Sequence, residues 1–360
     1  VVERPASVVK ELLENALDAN ADHISIEIVF GGLNEITISD NGEGISEADL
    51  HNAIHPHATS KIQTLADLAS VKTMGFRGEA LASIASVSRL RIQSKPATQA
   101  QAMELITEEE HIHLRPCARK TGTTLHVREL FYNAPVRKRF LKSARSEFLA
   151  IDRVVRCFAL SAPHMAITFS HEGHCVFKVP AGTTEVLRLQ RLHKLLGKSF
   201  IEAALSGEPS EGEITLSGWV TRPDYARSQK DRIWIYVNGR MVHDKLLNHA
   251  IKSAYEGNLP PGRYPACVLY LTLNPQDVDV NVHPTKHELR FHNPRLVHDA
   301  LRARLASTLT SAKACLSSTA PVIRQDTAMA PSLGHHTASI DIEGRWIPLC
   351  QEYALIYSQQ

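Results

Sequence analysis

The chain has 360 residues, enough for roughly two or three domains. Its hydrophobic content of 43% and charged content of 22% predict a soluble globular protein. The net charge of +2 does not by itself indicate a nucleic-acid partner, and the six cysteines form no CxxC pair, which favours neither a disulfide framework nor a zinc site. No apolar run approaches about 18 residues and no signal peptide is present, so we expect a cytoplasmic protein without a membrane partner. Because the chain begins at Val1 without methionine, we expect a fragment.

The segment KELLENALDAN, residues 10–20, predicts an amphipathic helix with an unusual polar face. Glu11, Asn15 and Asp18 follow one another at i, i+4 and i+7, which places them on one side of a helix. The residues of the opposite, apolar side are Val9, Leu12, Leu13, Ala16 and Leu17. Such a polar stripe is commonly a solvated surface, and the alternative is a binding cavity. The helix by itself does not decide between them.

The next segments alternate short strands with helices. Apolar residues at every second position predict a hairpin that turns at Gly31-Gly32, and Ser46 has the character of a helix N-cap. Further strands are predicted around residues 90–92, 122–127, 166–170, 175–179, 212–220, 232–242 (broken by an Asn-Gly turn at 238–239) and 266–273; further helices are predicted from about residue 79 and over 146–160, 245–256 and 294–309. The predicted order of strands and helices lacks the long βαβ units of a parallel sheet, and it predicts two α+β layers.

The motif DNGEGI, residues 40–45, follows the second strand of the hairpin. The Asp40 carboxylate could accept a hydrogen bond from an exocyclic amine, while Gly42 and Gly44 let bare backbone lie against a flat ring. The alternative is an acidic turn, because Asp-Asn-Gly is by itself a strong turn sequence.

Two further motifs could contact phosphate. Gly75 and Gly78 bracket Phe76 and Arg77 just before a predicted helix, an arrangement that can present backbone N–H groups to an anion. It is not a P-loop, since GxxxxGK[ST] is absent, and glycine-rich loops are common. Lys286, after a proline at a strand entry, is either an exposed lysine or a cation that contacts phosphate.

In this order the motifs resemble the Bergerat-type ATP site of the GHKL family. That order is ExxxNxxD on a helix, DxGxG after a hairpin, a GxxG loop that opens a helix, and Gly-Thr on a strand. Within that family the chain is similar, over about residues 1–310, to the MutL proteins of DNA mismatch repair. The matching segments are VVERPASVVKELLENALDA, HATSKI, GFRGEALASI, LFYNAPVRKRFL, YVNGRMV and DVDVNVHPTKHELRF.

The resemblance implies a role for each residue of the site. Glu11 would be the general base that activates water, Asn15 would ligate Mg²⁺, and Asp40 would bind the adenine amino group. Lys286 would contact the γ-phosphate and, with Glu11, belongs to the implied catalytic residues. The implied ATP-binding positions are Asn15, Asp40, Gly42, Gly44, Thr59, Gly75, Phe76, Arg77, Gly78 and Thr123, with residues 75–78 in a lid over the phosphates.

The resemblance also implies the architecture and the biology. Residues 1–197 would form a GHKL ATPase two-layer sandwich and residues 198–311 an α+β domain like ribosomal protein S5 domain 2. Residues 312–345 would be a linker, and residues 346–360 the start of a C-terminal dimerisation domain. ATP would gate closure of a homodimer on single- or double-stranded DNA in a bacterial, nucleoid-associated protein. Its partners would be a mismatch-recognition protein of MutS type and a downstream helicase or endonuclease.

The segment PVRKRFLKSAR is the densest basic run. Arg137, Lys138, Arg139, Lys142 and Arg145 precede the next acidic residue and could neutralise DNA phosphates without reading sequence. The alternative is a solvated basic loop.

Three differences from the family pattern leave alternatives open. Pro56 stands where the family usually has arginine, and family members carry a stretch before VVERP that helps to order the lid. A nuclease site, found in some members, would lie beyond this segment.

Two rival hypotheses about function remain. One is a different GHKL class, a topoisomerase subunit or kinase. The other is a DNA-binding scaffold that binds nucleotide without hydrolysing it.

Overall fold

The computed structural model describes residues 2–55, 80–108, 111–206, 212, 214–279, 289–318, 345–350 and 353–357. The chain divides into two compact units, residues 1–315 and 316–360. In the second unit, strands Arg345–Cys350 and Tyr353–Tyr357 pair antiparallel. Within the described residues, none of the helices combines the length and apolar character that crossing a membrane requires.

The first unit contains a large, mostly antiparallel sheet. Its strands are β1 His23–Val29, β2 Glu35–Asp40, β3 Arg89–Lys95, β4 Ala102–Glu108, β5 His111–Cys117, β6 Gly122–Arg128, β7 Ala166–His171 and β8 His174–Val179. The strand order is β5-β4-β3-β6-β2-β1-β7-β8, and β1 with β7 is its parallel pair. The predicted hairpin is confirmed, with Ile26 opposite Ile38 and both side chains buried. Alternating isoleucines thus give this sheet one face for a core.

Helices accompany this sheet. They are α1 Pro5–Asp18, α2 Glu47–Asn52, α3 Ala80–Ala85, α4 Pro135–Arg139, α5 Ala144–Ser161, α6 Glu185–Leu196 and α7 Lys198–Ala203. All of these except α4 bury apolar side chains in the core. Helices α1 and α5 pack side by side. Leu12 and Leu13 of α1 and Ile151 and Val155 of α5 are fully buried, and each such side chain contributes about 1.5–3 kcal/mol relative to exposure. The apolar side of α1 is therefore part of the core.

A smaller five-stranded sheet follows, with the order β12-β11-β13-β10-β9. Its strands are β9 Ala204–Ser206, β10 Ile214–Thr221, β11 Ile233–Val237, β12 Arg240–Met241 and β13 Cys267–Leu273. Helices α8 Lys245–Ala254 and α9 Pro294–Ser318 accompany it, as does the two-stranded pair of β14 Val278–Asp279 and β15 Arg290–Phe291. The predicted turn at Asn238-Gly239 is confirmed by positive φ angles of 48° and 79°.

The two sheets are joined through the C-terminal end of α5. The Tyr236 hydroxyl donates to the carbonyl oxygen of Cys157 at 2.8 Å, and the Tyr270 hydroxyl donates to that of Leu160 at 2.8 Å. The bond to Leu160 satisfies a carbonyl in the last turn of the helix, where intrahelical donors run out. The α+β fold class predicted from the sequence is confirmed.

The structure differs from the predicted elements in three respects. The final helix continues beyond residue 309 to Ser318, into the stretch predicted as a linker. The basic segment begins as the short helix α4, whose first residue is Pro135, a good first helical residue with its fixed φ, and not as a loop. The structure also adds to the predicted set the strands β4, β5, β9, β14 and β15 and the helices α6 and α7.

Candidate nucleotide-binding site

The polar face of α1 is only partly open to solvent. Glu11, Asn15 and Asp18 are each half-buried, whereas a fully solvated stripe would be exposed. In the part of the chain that the structure describes, no hydrogen bond or ion pair engages the Glu11 carboxylate. A half-buried carboxylate of this kind can accept hydrogen bonds, and a proton, from a bound molecule.

Asp40 ends strand β2 and lies almost completely buried, with 6% of its surface exposed. Its Oδ1 accepts hydrogen bonds from the backbone N–H of Gly42 at 2.9 Å and from that of Thr123 at 3.1 Å. No described group donates to Oδ2, which leaves that oxygen for a ligand donor. Burial raises the pKa of Asp40 above its ordinary value, while the two amide donors and the charge of Arg119 oppose that rise.

The loop after β2 lies against the end of helix α1. The Glu43 N–H donates to the carbonyl of Ala19 at 2.9 Å, and a Cβ placed on Gly42 would lie 2.5 Å from that same oxygen. Gly44 has a φ of +77°, and a Cβ there would lie 2.6 Å from the carbonyl oxygen of Lys95. Only glycine fits both positions without displacing backbone, so the two glycines let the loop lie close to the end of α1 and to the end of β3.

Thr123, at the start of β6, is buried beside Asp40. Besides its N–H bond to Asp40, its hydroxyl lies 2.9 Å from the Ser94 hydroxyl, and Ser94 in turn accepts from the Ile45 N–H at 2.7 Å. Ser94 was not among the predicted site residues. The sequence feature that could have identified Ser94 is its position on β3. There it follows Leu90 and Ile92 at every second residue, on the same buried face of the strand.

Arg119 is a second residue that sequence reasoning missed. Its guanidinium donates to the backbone carbonyl of Asp40 at 2.8 Å and to the Thr124 hydroxyl at 3.0 Å. No local pattern singles out this arginine, because its partner Asp40 lies 79 residues away in the sequence.

The structure brings Asp40, Gly42, Gly44 and Thr123 together at one end of the central strands, next to the C-terminal end of α1. Glu11 and Asn15 lie on α1, and the remaining predicted positions, Thr59, Gly75, Phe76, Arg77, Gly78 and Lys286, lie outside the described residues.

The predicted DNA-binding segment is exposed. Arg137, Lys138 and Arg139 on α4 all face solvent, as does Lys142 after it, and the neighbouring Phe140 is 82% exposed. Surface cations beside an unburied aromatic ring suit a phosphate-rich partner whose bases can stack.

The next acidic residue does not neutralise this surface. Glu147 is 1% exposed, and its Oε2 accepts from the Nε and Nη2 of Arg4 at 3.0 and 2.9 Å. Its Oε1 accepts from the backbone N–H of Lys142 at 3.0 Å. Hydrogen bonds inside the fold thus occupy both oxygens of the Glu147 carboxylate. The positive charges of the segment therefore remain available to a partner.

Comparison with known proteins agrees with this geometry. A family model for histidine kinase-, DNA gyrase B- and HSP90-like ATPases matches residues 3–120, and the model for the C-terminal domain of DNA mismatch repair proteins matches residues 192–310. The DNA mismatch repair protein MutL of Histophilus somni is 47% identical over 313 residues, covering 86% of this chain and 51% of that protein. MutL of Vibrio vulnificus is 48% identical over 311 residues, covering 86% and 47%. The chain therefore spans about half the length of the curated relatives it matches.

Solved structures of DNA repair proteins share the fold of this chain. The N-terminal domain of a DNA repair protein aligns with a TM-score of 0.72 and 27% identity, covering 88% of this chain and 97% of that one. The Aquifex aeolicus MutL ATPase domain complexed with ADP aligns with a TM-score of 0.60 and 25% identity, covering 84% and 98%. The two family models, the relatives and the shared fold together show that this chain belongs to the MutL family of DNA mismatch repair proteins and represents its N-terminal ATPase region.

Proposed function

We propose that the chain binds ATP beside the end of α1 and hydrolyses it as a conformational switch in mismatch repair. The observation that carries this proposal is the Asp40 carboxylate, in which one oxygen is held by two backbone amides and the other has no described donor. An acceptor held so firmly suits the 6-amino group of adenine.

Glu11 is the proposed general base. Its carboxylate accepts a proton from the water that attacks the γ-phosphate, and its half-buried place on α1 keeps it from bulk solvent. The side-chain oxygen of Asn15, one turn further along the same face, fits Mg²⁺, which prefers hard oxygen donors. The metal, when bound, would supply charge neutralisation at the phosphates.

The rest of the proposed site rests on the family resemblance. Thr59, Gly75, Phe76, Arg77 and Gly78 would contact the nucleotide, the last four as part of a lid over the phosphates. Lys286 would contact the γ-phosphate from the second domain, which would couple ATP binding to the orientation of that domain.

The domain boundaries are proposed on the same basis, with an ATPase domain over 1–197 and a second α+β domain over 198–311. A linker over 312–345 and the start of a dimerisation domain over 346–360 complete the proposal. Support comes from the separate hydrophobic core centred on β10, β11 and β13. The core of the large sheet extends to Tyr236 and Val268, on the other face of the small sheet.

We propose non-specific DNA binding through Arg137, Lys138, Arg139 and Lys142. Support comes from their exposure and from the burial of Glu147 against Arg4, which removes the nearest acid from the surface. In the whole protein, ATP would close a homodimer on DNA and coordinate a MutS-type recognition protein with a downstream helicase or endonuclease. A nucleoid-associated cytoplasmic location would follow from those partners.

The test is Mg·ATP binding and hydrolysis by this chain beside Glu11→Gln and Asp40→Asn, with the exposed Glu27→Gln on β1 as the charge-matched control. We expect Glu11→Gln to bind ATP normally and to lose turnover by about 10²–10⁴-fold, the range for a general base. Asp40→Asn should weaken binding, and the control should change neither. Tight binding without turnover in the parent chain would favour the scaffold alternative, and absence of binding by the folded chain would refute the site.

A further inference from the structure

Arg119 donates hydrogen bonds to four groups around Asp40. Its Nη2 donates to the carbonyl oxygen of Asp40 at 2.8 Å and to the Ser39 hydroxyl at 3.4 Å. Its Nε donates to the Thr124 hydroxyl at 3.0 Å, and its Nη1 donates to the carbonyl oxygen of Lys120 at 2.8 Å. Nη2 and Nε of the planar guanidinium thus bridge the end of β2 and the start of β6, while Nη1 bonds to the segment before β6.

The charge of Arg119 also acts on the Asp40 carboxylate. Asp40 is buried at the end of its strand, and burial disfavours the ionised form. The groups that oppose this effect are two neutral amides, of Gly42 and Thr123, and one cation, Arg119. Among the described residues, Arg119 is the charged side chain that lowers the pKa of Asp40. Burial in turn lowers the pKa of Arg119, while the charge of Asp40 raises it, as expected for neighbouring opposite charges.

We propose that Arg119 is a positioning residue that keeps the Asp40 carboxylate ionised and oriented, and thereby makes the site select a 6-aminopurine over a 6-oxopurine. This inference rests on the proposed function, in which Asp40 binds the purine. Arg119 acts through Asp40 and does not itself contact the nucleotide.

The selectivity follows from the hydrogen-bonding capacity of a carboxyl group. The ionised form accepts only, so its free oxygen binds the amino group of adenine and repels the carbonyl oxygen of guanine. The protonated form can donate to a carbonyl, which removes that repulsion. A cation that keeps Asp40 ionised therefore preserves both ATP affinity and discrimination against GTP as the pH falls.

The experiment measures the dissociation constants of ATP and GTP between pH 5 and pH 8.5 for the parent chain and for Arg119→Gln and Arg119→Lys. The control is Lys120→Gln, which removes the same charge from the adjacent exposed side chain. Thermal unfolding followed by circular dichroism confirms that each variant is folded at each pH.

We expect Arg119→Gln to raise the pKa of Asp40, so that the pH at which ATP affinity declines moves up by about one pH unit. In that acidic range the ATP-over-GTP preference should fall by about tenfold, because one unit in pKa corresponds to a factor of ten in the ionised fraction. Arg119→Lys should restore most of the pH profile, since it keeps the charge, and Lys120→Gln should match the parent chain.

An unchanged pH profile in a folded Arg119→Gln that binds ATP would overturn the inference while leaving the proposed function intact. A uniform loss of affinity at every pH, equal for ATP and GTP and not rescued by lysine, would also overturn it, because it would show a structural role only. If the parent chain bound no ATP, or if Asp40→Asn bound it normally, the proposed function itself would fail.

Discussion

The Asp40 carboxylate and the backbone amide of Thr123 are 3.1 Å apart, although 83 residues separate them in the sequence. Pairing of β2 with β6 creates this contact, since Ser39 lies opposite Thr124 in the antiparallel register. A slip of one residue would turn every side chain of the strand to the other face and abolish the bond. The proposed adenine contact is therefore a property of the sheet and not of the DNGEGI loop alone.

Gly42→Ala should disrupt this arrangement by steric conflict. The added Cβ would lie 2.5 Å from the Ala19 carbonyl oxygen and 2.9 Å from its Cβ, and neither can move without shifting the end of α1. Overpacking of this kind costs about 1–3 kcal/mol of folding stability. We expect ATP affinity to fall by at least about tenfold, measured by titration calorimetry beside urea unfolding. Parent-like affinity would show that the loop tolerates a different path.

Arg4→Ala should destabilise the chain by about 2 kcal/mol, because it leaves the buried Glu147 carboxylate without its charged partner. Arg4 is itself partly exposed, which keeps the loss below that of a fully buried pair. Lys198→Ala is the control, since Lys198 pairs with Glu202 at 3.4 Å on the surface and such pairs contribute little. Equal melting temperatures for the two variants would contradict the importance of burial.

Glu104 should make stability depend on acid pH. Burial raises the pKa of Glu104, but hydrogen bonds from Arg115, Arg91 and Gln93 outweigh it, and the net pKa lies below the ordinary value. An acid whose pKa is depressed by folding stabilises the native state above its unfolded pKa, and that contribution is lost as the pH falls through the folded pKa.

Glu104→Gln should therefore be less stable than the parent at pH 7, and the difference should shrink below about pH 4.3, the ordinary value of glutamate. Urea unfolding at a series of pH values measures this difference. A difference that stayed constant down to the acid limit would show that packing, and not the charge of Glu104, carries the effect.

Reversal of Arg137, Lys138 and Arg139 to glutamate should reduce the salt dependence of DNA binding. Each lost phosphate contact should lower the slope of log K against log salt by about one. The control reverses three exposed cations of another surface, Arg188, Lys194 and Lys198. Fluorescence anisotropy with a short duplex over a range of salt concentrations measures the slope. If both triple variants gave the same slope as the parent, the binding surface would lie elsewhere.

Local chemistry in the sequence was enough to predict much of the fold. The alternation of isoleucines specified β1 and β2, Asn238-Gly239 specified a tight hairpin turn, and the apolar side of α1 specified its buried face. Each of these depends on residues within a few positions of one another, where backbone preference and side-chain period act directly. The order of the motifs also indicates the family.

Only the tertiary structure decided how those pieces combine into a site. The order of the large sheet, the shared acceptor role of the Asp40 Oδ1, and the positions of Ser94 and Arg119 all depend on strand pairing across long stretches of chain. The same holds for Glu147, whose place in the sequence suggests a surface acid but whose side chain is buried against Arg4. A sequence pattern reports the preference of a residue for a face or a turn, whereas the partner that satisfies a buried polar atom is fixed by packing between distant segments.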